Sequence, residues 1–211
     1  MIVKSSDVIV VGYTSLAQGG LINATFYPPL HYPLYQRLKA FYGSRCPHVV
    51  NVGVGGQSIA QWLAAPYSAS MSTNPDILII DGTPNDIGVS QATLNNLWSA
   101  IANPSNYSGG ILPRHVCWVS TIWRGSEAVG DASLIQIAAD DALAKATAAA
   151  NASNFSGGTS YADAAALWAA EVGANNPKNF GQGVYTVDGT HQKYLGADLK
   201  SRAVFNLMQL T

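Results

Sequence analysis

Four short runs of aliphatic and β-branched residues constrain the fold of this chain more than any other feature. Each run is almost continuously apolar, and each leads into a loop rich in small polar residues and glycine. Uninterrupted apolar runs of this length are typical of strands that are buried on both faces of a parallel sheet. The predicted strands are Asp7–Gly12, His48–Val54, Asp76–Asp81 and His115–Ile122.

Helical patterns alternate with these runs. A helix containing Ile59, Trp62 and Leu63 follows the second strand, and a short fifth strand is expected at Ser160–Ala162. The alternation predicts an α/β three-layer sandwich, with a parallel sheet of about five strands and helices on both faces. No linker, repeat or change of composition divides residues 1–211, so we expect one domain. The other predicted helices run from Pro33 to about Tyr42, Gln91 to Ile101, Asp131 to about Ala152, Asp163 to Val172 and Tyr194 to Met208.

The charge balance argues against several classes of partner. The 211 residues carry a formal net charge of −1, only 11% are charged, and no basic run occurs. Nothing in this pattern favours nucleic acid or an anionic membrane. No apolar run is long enough to span a bilayer, and the first residues lack the plan of a signal peptide. We therefore expect a cytoplasmic chain or a mature or excised domain; the neutral polar composition is common in secreted and virion-surface proteins.

The two cysteines do not suggest a metal site. Cys46 and Cys117 lie far apart and neither belongs to a C-x-x-C pair, which argues against zinc. We expect two buried thiols in preference to one disulfide. His31 and His48 are interpreted as structural residues.

Chemically capable groups follow the predicted strands at their carboxyl ends. Ser15 follows the first strand, Gly56 the second and Asn85 the third, and parallel α/β sheets place ligands at this edge. Each residue has a simpler interpretation: a turn or N-cap serine, a glycine turn, and an Asx turn at Asn85. The glycine turn could also face a phosphate, but the P-loop lysine is missing.

The segment Asp188-Gly189-Thr190-His191 precedes the last predicted helix. An imidazole can take a proton from a hydroxyl, and a carboxylate on its other ring nitrogen orients it and stabilises its charged form. Gly189 permits the bend that brings Asp188 back to His191. Without a matching nucleophile, this segment could equally be a surface turn.

Aromatic residues suggest where a substrate could lie. Tyr27, in the aromatic segment 26–32, and Trp123 could stack on sugar rings, but aromatic residues near a cleft serve lipid chains equally well. The aromatic segment could instead only cover the sheet edge. Arg124 could contact substrate, although pairing with an acidic neighbour is the favoured alternative.

Four blocks of the sequence, in order, resemble those of the SGNH or GDSL-type hydrolases. Residues 15–19 (SLAQG) are similar to the first block and residues 51–56 (NVGVGG) to the second. Residues 82–86 (GTPND) resemble the third block with one extra residue, and residues 188–191 (DGTH), followed by Gly196, resemble the last. The resemblance covers nearly the whole chain and implies a flavodoxin-like form of the three-layer sandwich.

The first block departs from the family pattern, because Thr14 stands where the usual aspartate is expected and one residue is added. That carboxylate takes no part in the proton relay, but its loss affects the geometry of the loop. Thr14 is a rival nucleophile, and the spacing to Gly19 favours Ser15.

The resemblance implies a serine esterase that works through an acyl-enzyme. Ser15 would be the nucleophile, His191 the base and Asp188 its partner, with an oxyanion hole from the backbone N–H groups of Ser15 and Gly56 and the Asn85 amide. Acetylated carbohydrate is the expected substrate, with a lipase or thioesterase as the alternative enzyme. A glycan-binding module that has lost activity is the alternative outside catalysis. No metal or organic cofactor is expected.

Overall fold

The computed structural model describes residues 1–12, 20–22, 25–27, 29–64, 71–82, 85–121, 132–172 and 194–211. The described strands are β1 (Ile2–Val3), β2 (Val8–Gly12), β3 (Gly20–Ile22), β4 (Thr25–Tyr27), β5 (His48–Asn51), β6 (Ile77–Asp81), β7 (His115–Val119), β8 (Thr159–Ala162) and β9 (Gln209–Leu210). Five of them form a parallel sheet in the order β5-β2-β6-β7-β8.

Helices cover both faces of this sheet. They are α1 (His31–Tyr42), α2 (Ile59–Ala64), α3 (Gln91–Ile101), α4 (Ala132–Ala150), α5 (Ala164–Val172) and α6 (Tyr194–Phe205). Helices α1, α5 and α6 pack on one face, and α2, α3 and α4 pack on the other. None of the helices in the described ranges is long and apolar enough to cross a membrane.

The apolar core is split between the two faces because successive strand residues point in opposite directions. In β2, Ile9 and Val11 pack beneath α1, whereas Val10 packs on the opposite face with Trp62 of α2. All five residues of β6 are buried, as expected for a central strand covered on both sides. The predicted three-layer sandwich with a five-stranded parallel sheet is therefore confirmed.

Some predicted boundaries are wrong for local reasons. The strand expected to reach Val54 ends at Asn51, because the Asn51 side chain accepts the Gly53 N–H at 3.0 Å and turns the chain. The strand expected to reach Ile122 ends at Val119. Helix α1 begins at His31, before Pro33. A proline is tolerated there because the first turn needs no N–H donors.

Two small sheets were not predicted. Strands β3 and β4 pair with each other in antiparallel orientation, in a part of the chain where no strand was predicted. The expected last helix ends at Phe205 instead of Met208, and the chain continues into β9, which pairs with β1.

The two cysteines are unpaired, as predicted, but only Cys117 is buried; Cys46 is partly exposed.

Candidate functional site

Several predicted site residues lie outside the described residues. These are Ser15, Trp123, Arg124, Asp188 and His191. Tyr27 lies in β4, where the structure describes the backbone but not the side chain. Gly56 and Asn85 are the predicted site residues whose surroundings can be described, and their roles as oxyanion donors remain predictions.

The strand order gives Gly56 and Asn85 a common location. Strand β2 lies between β5 and β6 in the sheet, and all three strands are parallel. Strand β5 leads to the loop with Gly56, and β6 leads to the loop with Asn85. The middle strand ends at Gly12, three positions before Ser15 in the sequence. The loops from the two flanking strands therefore begin at the edge where the middle strand leads toward Ser15.

The two flanking loops touch each other. The Asn85 Nδ2 donates a hydrogen bond to the Gln57 carbonyl oxygen at 3.1 Å. The next residue, Asp86, accepts the Ile59 N–H with both carboxylate oxygens, at 3.2 and 3.0 Å. Two neighbouring side chains of one loop thus hold the stretch directly after Gly56 in the other loop.

Position 56 favours glycine because of its backbone conformation and not because a side chain would lack space. Its φ is +72°, in the region that side-chain-bearing residues rarely adopt, and a Cβ placed there would meet no atom within 4 Å. This open, left-handed turn exposes its backbone beside Asn85, which is also exposed. Gly56 and Asn85 are therefore exposed residues on two loops that contact each other.

Burial raises the pKa of the half-buried Asp86 carboxyl, an effect that the Ile59 N–H opposes and the nearby Asp140 carboxylate reinforces. Asp140 in turn accepts the Gly88 N–H at 2.7 Å. The loop that carries Asn85 is therefore anchored at two points by carboxylates that accept backbone N–H groups.

A buried ion pair lies beneath this edge of the sheet. Asp81, the last residue of β6, binds the Lys200 ammonium of α6, and both side chains are fully buried. Its second oxygen, Oδ2, has no hydrogen-bond partner among the described residues. The pair joins the strand that leads to Asn85 to the helix that follows His191 in the sequence.

A second buried carboxylate lies near the same cation. Asp141 of α4 accepts the Thr121 N–H at 2.9 Å. Burial raises its pKa to about 7, while the Thr121 hydrogen bonds and the Lys200 charge act in the opposite direction. This group of Asp81, Lys200 and Asp141 was not predicted, although the charged residue at the end of an otherwise apolar run is a signal for Asp81.

Known structures share this fold. An acetyl xylan esterase variant from Geobacillus stearothermophilus matches with a TM-score of 0.73 and 16% identity, over 95% of this chain and 93% of that one. A lipase/acylhydrolase from Enterococcus faecalis matches with a TM-score of 0.69 and 18% identity, over 95% and 94% of the two chains. The chain has the fold of these enzymes. This confirms the fold that the resemblance to SGNH hydrolases implies.

A further match is an α/β hydrolase from the metagenome of Lake Arreo, with a TM-score of 0.70 and 15% identity over 95% of this chain and 94% of that one. Two other matching structures of the Geobacillus esterase are catalytic mutants in which alanine replaces a serine and a histidine. No protein-family model matches the chain, and no curated protein matches it in sequence.

Proposed function

We propose that this protein is a serine esterase that hydrolyses carboxylic esters through an acyl-enzyme. One observation carries the proposal: loops from the two strands that flank β2 meet through Asn85 and Gln57. The sequence places Ser15 just beyond the end of that middle strand. The fold shared with esterases supports the same reaction class.

The proposed chemistry needs only side chains and backbone of this chain. The Ser15 hydroxyl attacks the ester carbonyl, and His191, oriented by Asp188, takes the proton. The Ser15 and Gly56 N–H groups and the Asn85 amide stabilise the oxyanion, each contributing about 3 kcal/mol to the lowering of the barrier. The carbon–oxygen bond to the alcohol breaks, and His191 protonates the leaving oxygen. Water then repeats the sequence on the acyl-enzyme and releases the acid.

Acetylated carbohydrate is the substrate class that we propose. Acetyl xylan esterases are among the proteins that share the fold, and the aromatic residues Tyr27 and Trp123 supply surfaces on which sugar rings stack. Arg124 is proposed to contact the same substrate. The lipase/acylhydrolase among the shared folds makes an acyl-chain substrate the second candidate.

The decisive test is reaction with an activated-serine probe. The purified protein should be labelled by a fluorophosphonate and should hydrolyse p-nitrophenyl acetate, because both require an activated serine hydroxyl. Ser15→Ala and His191→Ala should each abolish both signals, whereas Thr14→Ala should retain labelling. Labelling that persists in Ser15→Ala would remove that serine from the mechanism.

A protein that is neither labelled nor active would favour the inactive glycan-binding module. A panel of acetylated xylo-oligosaccharides against p-nitrophenyl esters of increasing acyl length identifies the substrate class. A preference for long acyl chains would replace the carbohydrate substrate with a lipid or thioester one.

A further inference from the structure

We infer that Asp86 is a positioning residue that holds the Gly56 turn against Asn85 and so sets the spacing of the two oxyanion donors. This inference rests on the proposed esterase function and assigns a role to a residue outside the triad and the oxyanion hole. Its basis is the double contact of the Asp86 carboxylate with the Ile59 N–H, directly beside the Asn85 bond to Gln57.

A simple helix cap does not account for Asp86. Helix α2 already has a local cap, since the Ser58 hydroxyl accepts the Gln61 N–H at 3.3 Å and the Gln61 side chain accepts the Ser58 N–H at 2.9 Å. This reciprocal arrangement is the capping box of a helix start. Asp86 comes from 27 residues further along the chain. What it adds is a connection between two loops.

The connection determines the direction of a donor. An asparagine amide is planar and has two hydrogens, and in Asn85 one of them is used by the Gln57 carbonyl. The direction of the other hydrogen is therefore set by where Gln57 lies. Asp86 holds Ile59, which lies two residues after Gln57. The position of the Gln57 carbonyl relative to Gly56 therefore depends on the Asp86 carboxylate.

The position of the Asp86 carboxylate is unfavourable for its solvation. Asp86 is half-buried, and burial together with the Asp140 charge raises its pKa. A group that served only the stability of a short helix would be favoured at an exposed position with no second carboxylate nearby. An acceptor retained at this cost is consistent with a requirement for a hydrogen bond to the Ile59 N–H at this loop junction.

The test compares three variants by kcat and KM for p-nitrophenyl acetate. In Asp86→Ala, kcat should fall by about 10- to 100-fold with KM changed less than about 3-fold, since donor misplacement by an ångström affects mainly the transition state. Asp86→Asn keeps one oxygen that can accept the Ile59 N–H, so it should stay within about 5-fold of the wild-type kcat. Hydrogen exchange of the Ile59 amide should speed up in Asp86→Ala alone.

Ser90→Ala is the matched control. Ser90 also accepts a backbone N–H, that of Thr93 at 3.1 Å, at the far end of the same loop. Its loss should lower the urea concentration at the midpoint of unfolding and leave kcat within about 2-fold. If Asp86→Ala does not fold, Asp86→Ser replaces it, because the shorter hydroxyl side chain keeps the loop polar without reaching as far as a carboxylate.

Each outcome has a clear meaning. A wild-type kcat in Asp86→Ala overturns the positioning role while leaving the esterase proposal intact. Equal losses of kcat in Asp86→Ala, Asp86→Asn and Ser90→Ala would indicate general destabilisation and would also overturn it. A wild-type protein that neither hydrolyses the ester nor reacts with fluorophosphonate overturns both proposals. Loss in Asp86→Ala with recovery in Asp86→Asn supports the role.

Discussion

Buried carboxylates at the two ends of the parallel sheet differ in their hydrogen-bond and ion-pair partners. At the amino end, the buried Asp7 accepts the Lys4 N–H at 2.8 Å and pairs with Arg114 at 2.8 Å. At the carboxyl end, Asp81 binds Lys200, but its second oxygen has no partner in the part of the chain that the structure describes. Burial there also raises the pKa of Asp141 to about 7.

The difference separates a structural edge from a candidate functional one. Arg114 is 24% exposed, so its charge remains partly hydrated while it closes the amino end. Lys200 is completely buried and must be desolvated to reach Asp81. In proteins, buried charges and raised carboxyl pKa values cluster at functional sites, where they lower the stability of the folded state. The carboxyl end is also the edge from which the Gly56 and Asn85 loops emerge.

The largest expected effect comes from removing the buried cation. Lys200→Met should lower the free energy of unfolding by about 3–5 kcal/mol at pH 7, because it leaves Asp81 charged and unpaired in the core. Urea unfolding followed by circular dichroism measures the change. The double variant Lys200→Met with Asp81→Leu should recover most of the loss. A double variant as unstable as the single one would show that packing, and not charge, matters here.

A pH-dependent effect of intermediate size should appear at Asp141. Its pKa in the folded protein, about 7, lies above the value near 3.9 of an unfolded chain. The stability that it contributes is therefore complete below about pH 4 and is lost as pH rises to about 7, by up to about 4 kcal/mol.

Asp141→Asn should remove this part of the pH dependence, since the amide oxygen still accepts the Thr121 N–H but cannot ionise. Free energies of unfolding at pH 5 and pH 8 provide the comparison. Ser90→Ala changes no titratable group and should keep the wild-type slope. An Asp141→Asn variant with the same slope would contradict the raised pKa and make the two sheet ends alike.

The smallest effect is expected at the amino end. Arg114→Met should cost about 1–2 kcal/mol, because solvent can hydrate Asp7 once the partly exposed guanidinium is gone. Added salt at 0.5 M should weaken the wild-type contribution of this pair more than that of the buried Lys200 pair. Urea unfolding at two salt concentrations tests both statements. A loss equal to that of Lys200→Met would remove the distinction between the two edges.

The fold could be predicted because the residue patterns that specify its strands and helices are local in the sequence. Runs such as Ile77–Asp81 and His115–Val119 are apolar except for one terminal residue, and this pattern is typical of a strand covered on both faces. Helix α3 was predicted with its observed ends, Gln91 and Ile101, since its apolar residues recur at helical spacing. The first three predicted strands are followed by Ser15, Gly56 and Asn85, and this pattern indicated one sheet edge.

What the tertiary structure alone decided involves partners far apart in the chain. No local pattern indicates that Lys200 is buried against Asp81, that Asp86 accepts the Ile59 N–H, or that β9 pairs with β1. A lysine in a helix is usually solvated, and a two-residue strand has too few side chains to show an alternation. The sequence by itself determined the layers and the edge that bears the candidate site. Only the packed chain decided which charges were desolvated there, because burial and long-range pairing exist only after the elements have come together.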